Sequence, residues 1–531
     1  MFSKLKVKIS QKIHNNFYSH IINFKNKKVL YSFNKIITNN SVKTNNFKRI
    51  LIDGGFYNLG YFYRLQLIRA AISSEKTKEK AYIWDCNYKI CKYLLNFIGI
   101  KDITYLIRGF KTDLYRDADN LAKSIKKKED ILNIKLPFDV PGSFLYDVIL
   151  KMQRLPTVDL NDKNLKKYIY KFLYSINFSK NILEDYKPDL VILSHCLSYQ
   201  CAPLAWISAQ KKIPVIILAG DFGVSRFWKV INTKDIYFGF GHPQKEDLDS
   251  LSDHQRQKIL KTGKEYIRDR VSGQSSDISG RFAFQGKNKS LEIFGNSKNK
   301  KTTIAIYSNT FYDYPHTLGM TRFIDVKDWI LSTIKTASNN KNVIWLLKPH
   351  PCDQWHGGIT LKDILPKKLP SNVILLNYDY SGKDILEKSD ALVTHHGTAA
   401  IEFAALGKPV LVTDIGWFHD CEFVKFPKSK DDYLDLLTKK WHTLIDLKKA
   451  KLRARLFAGL FFGIPNWQKN LVIPDDCDNE KLREKLPIII SNNQKLIKKE
   501  IKLIREWINT NTNCYHTYKM LNSSNFTTVI K

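Results

Sequence analysis

The sequence predicts an α/β protein with two Rossmann-like, doubly wound domains, a helical insertion in the first domain and helices after the second. Short apolar segments typical of buried parallel strands alternate with helical segments over residues 46–271, and again over residues 302–430. The segment 272–301 between them is rich in Gly, Ser, Asn and Lys, and is predicted to be a linker. The chain has 531 residues, too many for one compact core.

In the first domain, "FKRILIDGG" predicts a strand that ends in a glycine turn at Gly54 and Gly55. Helical spacing in "YFYRLQLIRAAI" follows, and the alternation continues through "AYIWD", "YKICKYLLNFIG" and "DITYLI". An insertion over about residues 113–186 is predicted to be mainly helical. The alternation then resumes with "PDLVILSH", a helix over about residues 200–211, and "IPVIILAGDFG".

In the second domain, strand segments begin with "KTTIAIYSNT", "NVIWLLKPHP", "NVILL", "ALVTHHG" and "KPVLVTD". Helical segments such as "VKDWILSTIKTA" and "TAAIEFAALG" separate them, so a second parallel sheet is predicted. Residues 431–531 are predicted to be helical, and "NQKLIKKEIKLIREWI" is a basic amphipathic helix.

The chain is strongly basic, with 85 Lys and Arg against 51 Asp and Glu and a net charge of +34. This charge suits an anionic partner such as nucleic acid, a phospholipid surface or a phosphorylated substrate, although solvated surface charge alone would also account for it. A basic leader is predicted over residues 1–45; its lysines interrupt every apolar run, which argues against a secretory signal. The eight cysteines include no C-x-x-C pair, so a reduced, cytoplasmic setting is predicted.

Ligands of doubly wound sheets bind beyond the carboxyl ends of the strands, and "ALVTHHGTAAIEF" lies at such an end. Gly397 allows a close approach of the backbone, and Thr398 is predicted to cap the following helix, whose N–H groups favour a phosphate. Of the adjacent pair His395 and His396, one is expected to point into packing and one to contact the ligand.

Glu402 is the one acid in an otherwise apolar helical segment, and a lone buried carboxylate is unfavourable without partners. Sugar or ribose hydroxyls are suitable donors to it. Two other roles remain open, a cap of nearby backbone or a pair with a lysine such as Lys408.

Polar residues end two further strands of the second domain. In "WLLKPHP", two prolines stiffen a turn that presents Lys348 and His350, which suit the phosphate of a nucleotide. In "IYSNTFYDYPH", the strand-end residues could hydrogen-bond a ligand, while Asp313 and His316 either anchor the loop or serve the ligand. The predicted ligand residues of these two segments are Ser308, Asn309, Thr310, Lys348, His350 and Pro351.

K-P-H-P followed by H-H-G-T-A-x-x-E-F-A-A-L-G-K-P-V-L resembles the capsular polysaccharide biosynthesis family of bacterial glycosyltransferases, which includes Kdo transferases. The resemblance covers about residues 303–417. It implies the GT-B fold, with a nucleotide-sugar donor bound by the second domain and the acceptor by the first. It also implies a donor-phosphate contact at His350-Pro351, and places Gly397, Thr398 and Glu402 at the donor.

The related polysialyltransferases carry an acidic-acidic-glycine motif with a catalytic aspartate in the first domain. Asp53-Gly54 matches its second half, but Ile52 replaces the first acid. Catalytic candidates in the first domain are Asp53, His195 and Asp221, because each ends a predicted strand; each would serve equally as a turn or helix cap.

The predicted function is transfer of a sugar from a nucleotide-sugar, for example a CMP-linked acid sugar, to a lipid-linked saccharide. The sequence shows no convincing D-x-D at a strand end, so neither a metal nor a cofactor is expected. The leader and the helix over residues 493–508 are expected to hold the enzyme on the anionic inner face of the cytoplasmic membrane, where capsule-assembly proteins are further partners.

Three alternatives stay open. One is a different enzyme of this fold, either a polyol-phosphate transferase of the teichoic-acid type or a nucleotide-sugar epimerase. A second is a non-catalytic nucleic-acid-binding protein, although no RNA-binding signature supports a specific nucleic-acid partner. The third is a lectin-like assembly protein.

Overall fold

The computed structural model describes residues 25–38, 47–84, 88–219, 223–238, 241–274, 283–284, 301–354, 359–473 and 478–523. Part of the predicted leader and most of the predicted linker therefore lie outside the described residues, as does Asp221. The described part of the leader, residues 25–38, is a helix, α1. Its Val29, Leu30 and Phe33 are buried against the first sheet, so this segment belongs to the folded core.

The strands of the first lobe are β1 (Arg49–Asp53), β2 (Lys78–Ile83), β3 (Asp102–Tyr105), β4 (Leu190–Leu193), β5 (Val215–Ala219) and β6 (Arg226–Val230). They form a six-stranded sheet in the order β3-β2-β1-β4-β5-β6. Strands β1 to β5 pair in parallel, and β6 is antiparallel to β5. The order in which successive strands are added to the sheet reverses between β1 and β4, which places the expected crevice at the carboxyl ends of these two strands.

The helices of this part of the chain are α2 (Leu59–Ile72), α3 (Tyr88–Phe97), α4 (Thr112–Ser124), α5 (Lys128–Leu132), α6 (Gly142–Gln153), α7 (Leu165–Tyr186), α8 (Ser198–Gln210), α9 (Lys245–Asp249) and α10 (Asp253–Val271). Helices α4 to α7 form the helical insertion that the sequence predicts, and they pack on the face of the sheet that also receives α8.

The second lobe contains β7 (Thr302–Tyr307), β8 (Val343–Lys348), β9 (Val373–Leu375), β10 (Ala391–Thr394) and β11 (Val410–Val412). They form a five-stranded sheet in the order β11-β10-β7-β8-β9, and every pairing in it is parallel. The order reverses between β7 and β10. The predicted fold class of two doubly wound α/β domains is therefore confirmed.

The remaining helices are α11 (Val326–Ala337), α12 (Leu361–Ile364), α13 (Gly382–Lys388), α14 (Ala399–Ala405), α15 (Lys430–Thr438), α16 (Leu447–Phe462), α17 (Asn479–Asn492), α18 (Gln494–Ile508) and α19 (Tyr515–Ser523). Helix α10 lies in the first alternation of the sequence but packs in the second lobe. A Cβ on its Gly263 would lie 1.9 Å from the Arg455 carbonyl oxygen, and one on Gly459 would lie 2.2 Å from that of Ile259. The two glycines thus let the α10 and α16 backbones touch.

Helices α17 and α18 return to the first lobe. The apolar face of α18 carries Ile497, Ile501, Ile504 and Trp507, and all four are buried in the core that contains the β1 residues. The amphipathic helix 493–508 therefore turns its apolar face to the protein, and only its basic face is available to anionic lipid. Within the part of the chain that the structure describes, no helix is long and apolar enough to cross a bilayer.

Helix α6 of the insertion joins the two lobes. The buried Asp147 carboxylate lies 2.7 Å from His316 Nδ1 and accepts the Thr317 N–H at 2.8 Å. One turn later, Lys151 Nζ lies 2.9 Å from Asp313 Oδ1. Asp313 and His316 are thus anchors of the loop that follows β7, which was one of the two roles left open by the sequence.

Candidate functional site

One cavity lies at the carboxyl ends of β7, β8 and β10, where the order of the second sheet reverses. Its volume is about 110 Å³. Pockets for whole ligands usually measure about 300–1,000 Å³, so it can enclose one end of a larger ligand. Among its lining residues are eight of the eleven predicted donor-binding residues: Ser308, Asn309, Lys348, His350, Pro351, Gly397, Thr398 and Glu402.

Lys348 ends β8 and is only 7% exposed. Burial lowers the pKa of its amine from 10.5 to about 8, and the negative charge of Glu402 works against this shift. The amine lies 4.9 Å from the centre of the Tyr307 ring, a cation–π contact. A desolvated cation at a strand end interacts strongly with a phosphate, because little water screens the pair.

Glu402 is 3% exposed, and its charge is matched by Arg270 at the end of α10. Arg270 Nε donates to Glu402 Oε1, and Arg270 Nη2 donates to the Thr398 hydroxyl at 3.3 Å. A pair with a lysine such as Lys408 was one role left open for Glu402; the partner in the structure is Arg270, while Lys408 Nζ donates to main-chain carbonyls such as that of Leu386. Thr398 was predicted to cap α14, but its side chain accepts no helix N–H, so that prediction is wrong.

His350 is held in the K-P-H-P turn by Thr310, whose Oγ1 lies 3.2 Å from His350 Nδ1. Thr310 supports the cavity through this contact but does not line it. Ser308 N–H donates to the Lys348 carbonyl at 3.0 Å, which fixes the two strand ends side by side.

His395 and His396 do not line the cavity. The His395 ring is fully buried 5.9 Å from the Trp329 ring, and burial lowers its pKa to about 3. His396 is also buried, and burial holds its pKa well below 6.5. One of the two histidines was expected to pack and the other to contact the ligand. In the structure both are buried in packing, contrary to the expected ligand contact.

Two residues of the predicted linker also line the cavity, Ala283 and Phe284. They lie against Gly382 at the start of α13, where an added Cβ would be 2.6 Å from the Ala283 carbonyl oxygen. The linker therefore contributes part of the cavity wall. Neither these residues nor Arg270 was among the residues predicted from the sequence.

In the first lobe, Asp53 ends β1 and is fully buried. Its Oδ1 accepts the Gly55 N–H at 2.9 Å, and its Oδ2 accepts the Ser194 N–H at 3.2 Å. These bonds fix the glycine turn to the end of β4. The arrangement favours a positioning role for Asp53 over the predicted catalytic one.

His195 follows β4 and is half-buried beside Phe56 and Trp84. Burial lowers the pKa of its imidazole below 6.5, while the negative charge of Asp53 works against this shift. The ring is therefore neutral at pH 7, the form that a general base needs. Asp221, the third catalytic candidate, lies outside the described residues.

Among the described residues, no group of three or more His, Cys, Asp and Glu side chains could hold a metal ion. The predicted metal independence remains to be tested by experiment.

Residues 285–441 match the family described as CDP-glycerol:poly(glycerophosphate) glycerophosphotransferase. Over 250 residues the chain is 23% identical to the UDP-N-acetylglucosamine–N-acetylmuramyl-(pentapeptide) pyrophosphoryl-undecaprenol N-acetylglucosamine transferase of Bacillus pumilus, covering 46% of this chain and 58% of that one. The enzyme of the same description from Lactococcus lactis subsp. cremoris is 37% identical over 75 residues, covering 13% of this chain and 20% of that one. The chain thus spans less than two thirds of these relatives.

Among solved structures, the KpsC β-Kdo 2,4 transferase of Thermosulfurimonas dismutans is 14% identical with a TM-score of 0.30, covering 48% of this chain and 73% of that one. The UDP-GlcNAc 2-epimerase of Neisseria meningitidis is 14% identical with a TM-score of 0.23, covering 78% and 96%. Likenesses this distant carry no functional conclusion. The family match over residues 285–441 overlaps residues 303–417, which carry the resemblance drawn from the sequence, and the matching family is one of polyol-phosphate transferases.

Proposed function

We propose that the protein is a surface-polysaccharide glycosyltransferase that binds a nucleotide-activated donor in the second lobe and a lipid-linked saccharide acceptor in the first. The single observation that carries the proposal is the cavity in which Lys348 and His350 meet the Glu402–Arg270 pair at the reversal of the sheet. A buried cation at the carboxyl ends of parallel strands suits the phosphate of a nucleotide.

In the proposed reaction, the acceptor hydroxyl attacks the anomeric carbon of the donor, and the bond from that carbon to the phosphate oxygen breaks. Lys348 and His350 stabilise the negative charge that develops on the departing nucleotide phosphate. His195 is the proposed base that takes the proton of the acceptor hydroxyl. Glu402, held by Arg270, accepts hydrogen bonds from donor hydroxyls.

The family match over residues 285–441 favours a second candidate, transfer of a polyol phosphate from a CDP-linked donor. In that reaction the acceptor hydroxyl attacks the phosphorus that bears the polyol, and CMP departs. Both reactions leave a nucleotide phosphate on Lys348, so the cavity serves either. Mass spectrometry of the product separates them, because only the second adds phosphorus to the acceptor.

Calorimetry with CMP-, UDP- and GDP-sugars and with CDP-glycerol tests donor binding. The folded protein should bind at least one of them, Lys348→Ala should abolish the binding, and the exposed control Lys341→Ala should retain it. Binding by none of the four classes, or equal binding by Lys348→Ala, would contradict the proposal. Turnover after removal of metals with a chelator tests the predicted metal independence, and association with anionic and neutral vesicles tests the predicted membrane partner.

A further inference from the structure

Three aromatic rings form a continuous group at the carboxyl ends of β1, β2 and β4 in the first lobe. The ring centres of Phe56 and Trp84 are 6.0 Å apart, those of Trp84 and His195 are 5.7 Å apart, and those of Phe56 and His195 are 6.2 Å apart. This aromatic shelf lies where the order of the first sheet reverses, which is the place where such sheets bind ligands.

The glycine turn is shaped to this group. A Cβ on Gly55 would lie 2.3 Å from the Trp84 ring, so only glycine lets the turn press against the indole. Asp53 fixes the turn through the Gly55 N–H. The Tyr61 ring meets the Phe56 ring edge-on at 5.9 Å, which supports Phe56 from behind. The buried network around Asp53 therefore holds the shelf in place.

The exposed surface of the shelf has the character of a binding site. Phe56 is 37% exposed, although the Tyr61 and Trp84 rings pack against it. The indole N–H of Trp84 is buried and has no hydrogen-bond partner among the described residues. The Phe56 ring is therefore the part of the shelf that is most accessible to a ligand.

Helix α6 of the first lobe contacts the loop that follows β7 and that contributes to the donor cavity. Lys151 of α6 pairs with Asp313 at 2.9 Å. Asp313 belongs to the same loop as Ser308 and Asn309, which line the cavity. The loop that lines the donor cavity is thus anchored to the first lobe, which carries the shelf.

We propose that Phe56, Trp84 and His195 bind a pyranose ring of the acceptor saccharide. The C–H groups on one face of a pyranose are weakly positive and pack on the negative faces of aromatic rings. This assignment rests on the proposed function, because it treats the first lobe as the acceptor side.

The test uses saturation-transfer NMR on the full chain with three probes, the methyl pyranosides of glucose, galactose and N-acetylglucosamine. The wild type should transfer saturation to the ring C–H protons of at least one probe. Phe56→Ala should weaken its affinity for that probe roughly tenfold, and Phe56→Tyr should restore it. Phe110→Ala is the matched control, because Phe110 is 64% exposed and packs on Tyr170 instead of on the shelf.

Equal transfer in the wild type and Phe56→Ala, or no transfer from the wild type to any probe, would overturn the assignment. Donor calorimetry on the same samples separates this failure from failure of the proposed function. Donor binding by a protein with no shelf signal refutes the shelf alone. A shelf signal from a protein that binds no donor leaves a saccharide site and refutes the transferase.

Discussion

The buried amine of Lys348 should destabilise the folded protein, although it supplies the cation that binds phosphate. Its ordinary pKa of 10.5 falls to about 8 because the amine is buried. At about 1.36 kcal/mol per pH unit, this gap corresponds to roughly 3 kcal/mol of destabilisation at neutral pH. Methionine has a similar shape and carries no charge. We therefore expect Lys348→Met to raise the free energy of unfolding by up to about 3 kcal/mol at pH 7, while donor affinity is lost.

The pH dependence identifies the cause of that gain. Between pH 8 and 10.5 the unfolded chain binds a proton at Lys348 that the folded protein has released. Wild-type stability should therefore rise with pH over this window relative to Lys348→Met, and the two should converge near its upper end. Urea unfolding of both proteins across the window measures this, with the exposed Lys341→Met as control. A destabilised Lys348→Met, or a constant difference at all pH values, would refute the reasoning.

Three further predictions concern the lobes and their contacts. Arg270→Met should destabilise the folded protein by roughly 3–5 kcal/mol because it leaves Glu402 buried and unpaired, whereas Arg270→Met combined with Glu402→Leu should recover most of the loss. Unfolding measurements on the single and double variants, with the exposed Arg268→Met as control, test this. An equal effect of Arg270→Met and Arg268→Met would contradict it. Asp147→Ala should cost roughly 2–4 kcal/mol and reduce turnover more than donor affinity, and a proportionate loss of both would argue against an interlobe role. With His195 as base, kcat/KM should fall on the acid side with an apparent pKa below 6.5, and His195→Ala should remove that limb; a limb that persists assigns it elsewhere.

The strand ends of the second lobe were predictable from sequence because each carries a local signal. Apolar runs end in K-P-H-P, in S-N-T and in H-H-G-T, and the carboxyl ends of parallel strands meet at one edge of a sheet. Eight of the residues predicted there do line one cavity. His395 and His396 are exceptions and do not line the cavity. Side chains alternate at a strand end, so one of the two was expected to face the ligand, but both are buried.

Long-range partners carried no such signal. Glu402 required a partner on energetic grounds, but no spacing rule connects it to Arg270, 132 residues earlier. Helix α10 follows the strands of the first lobe in sequence, and contacts such as those of Gly263 with α16 and of Arg270 with Glu402 assign it to the second. Strand β6 was not predicted, because its residues do not alternate between apolar and polar side chains as those of a half-buried strand do. All five of its residues are buried.

A crystal structure with the nucleotide that calorimetry selects would locate the donor phosphate. We expect a phosphate oxygen within hydrogen-bond distance of Lys348 Nζ, beside His350, with a ligand hydroxyl on Glu402 and the Glu402–Arg270 pair intact. A nucleotide bound away from the ends of β7, β8 and β10, with this cavity unchanged, would contradict it.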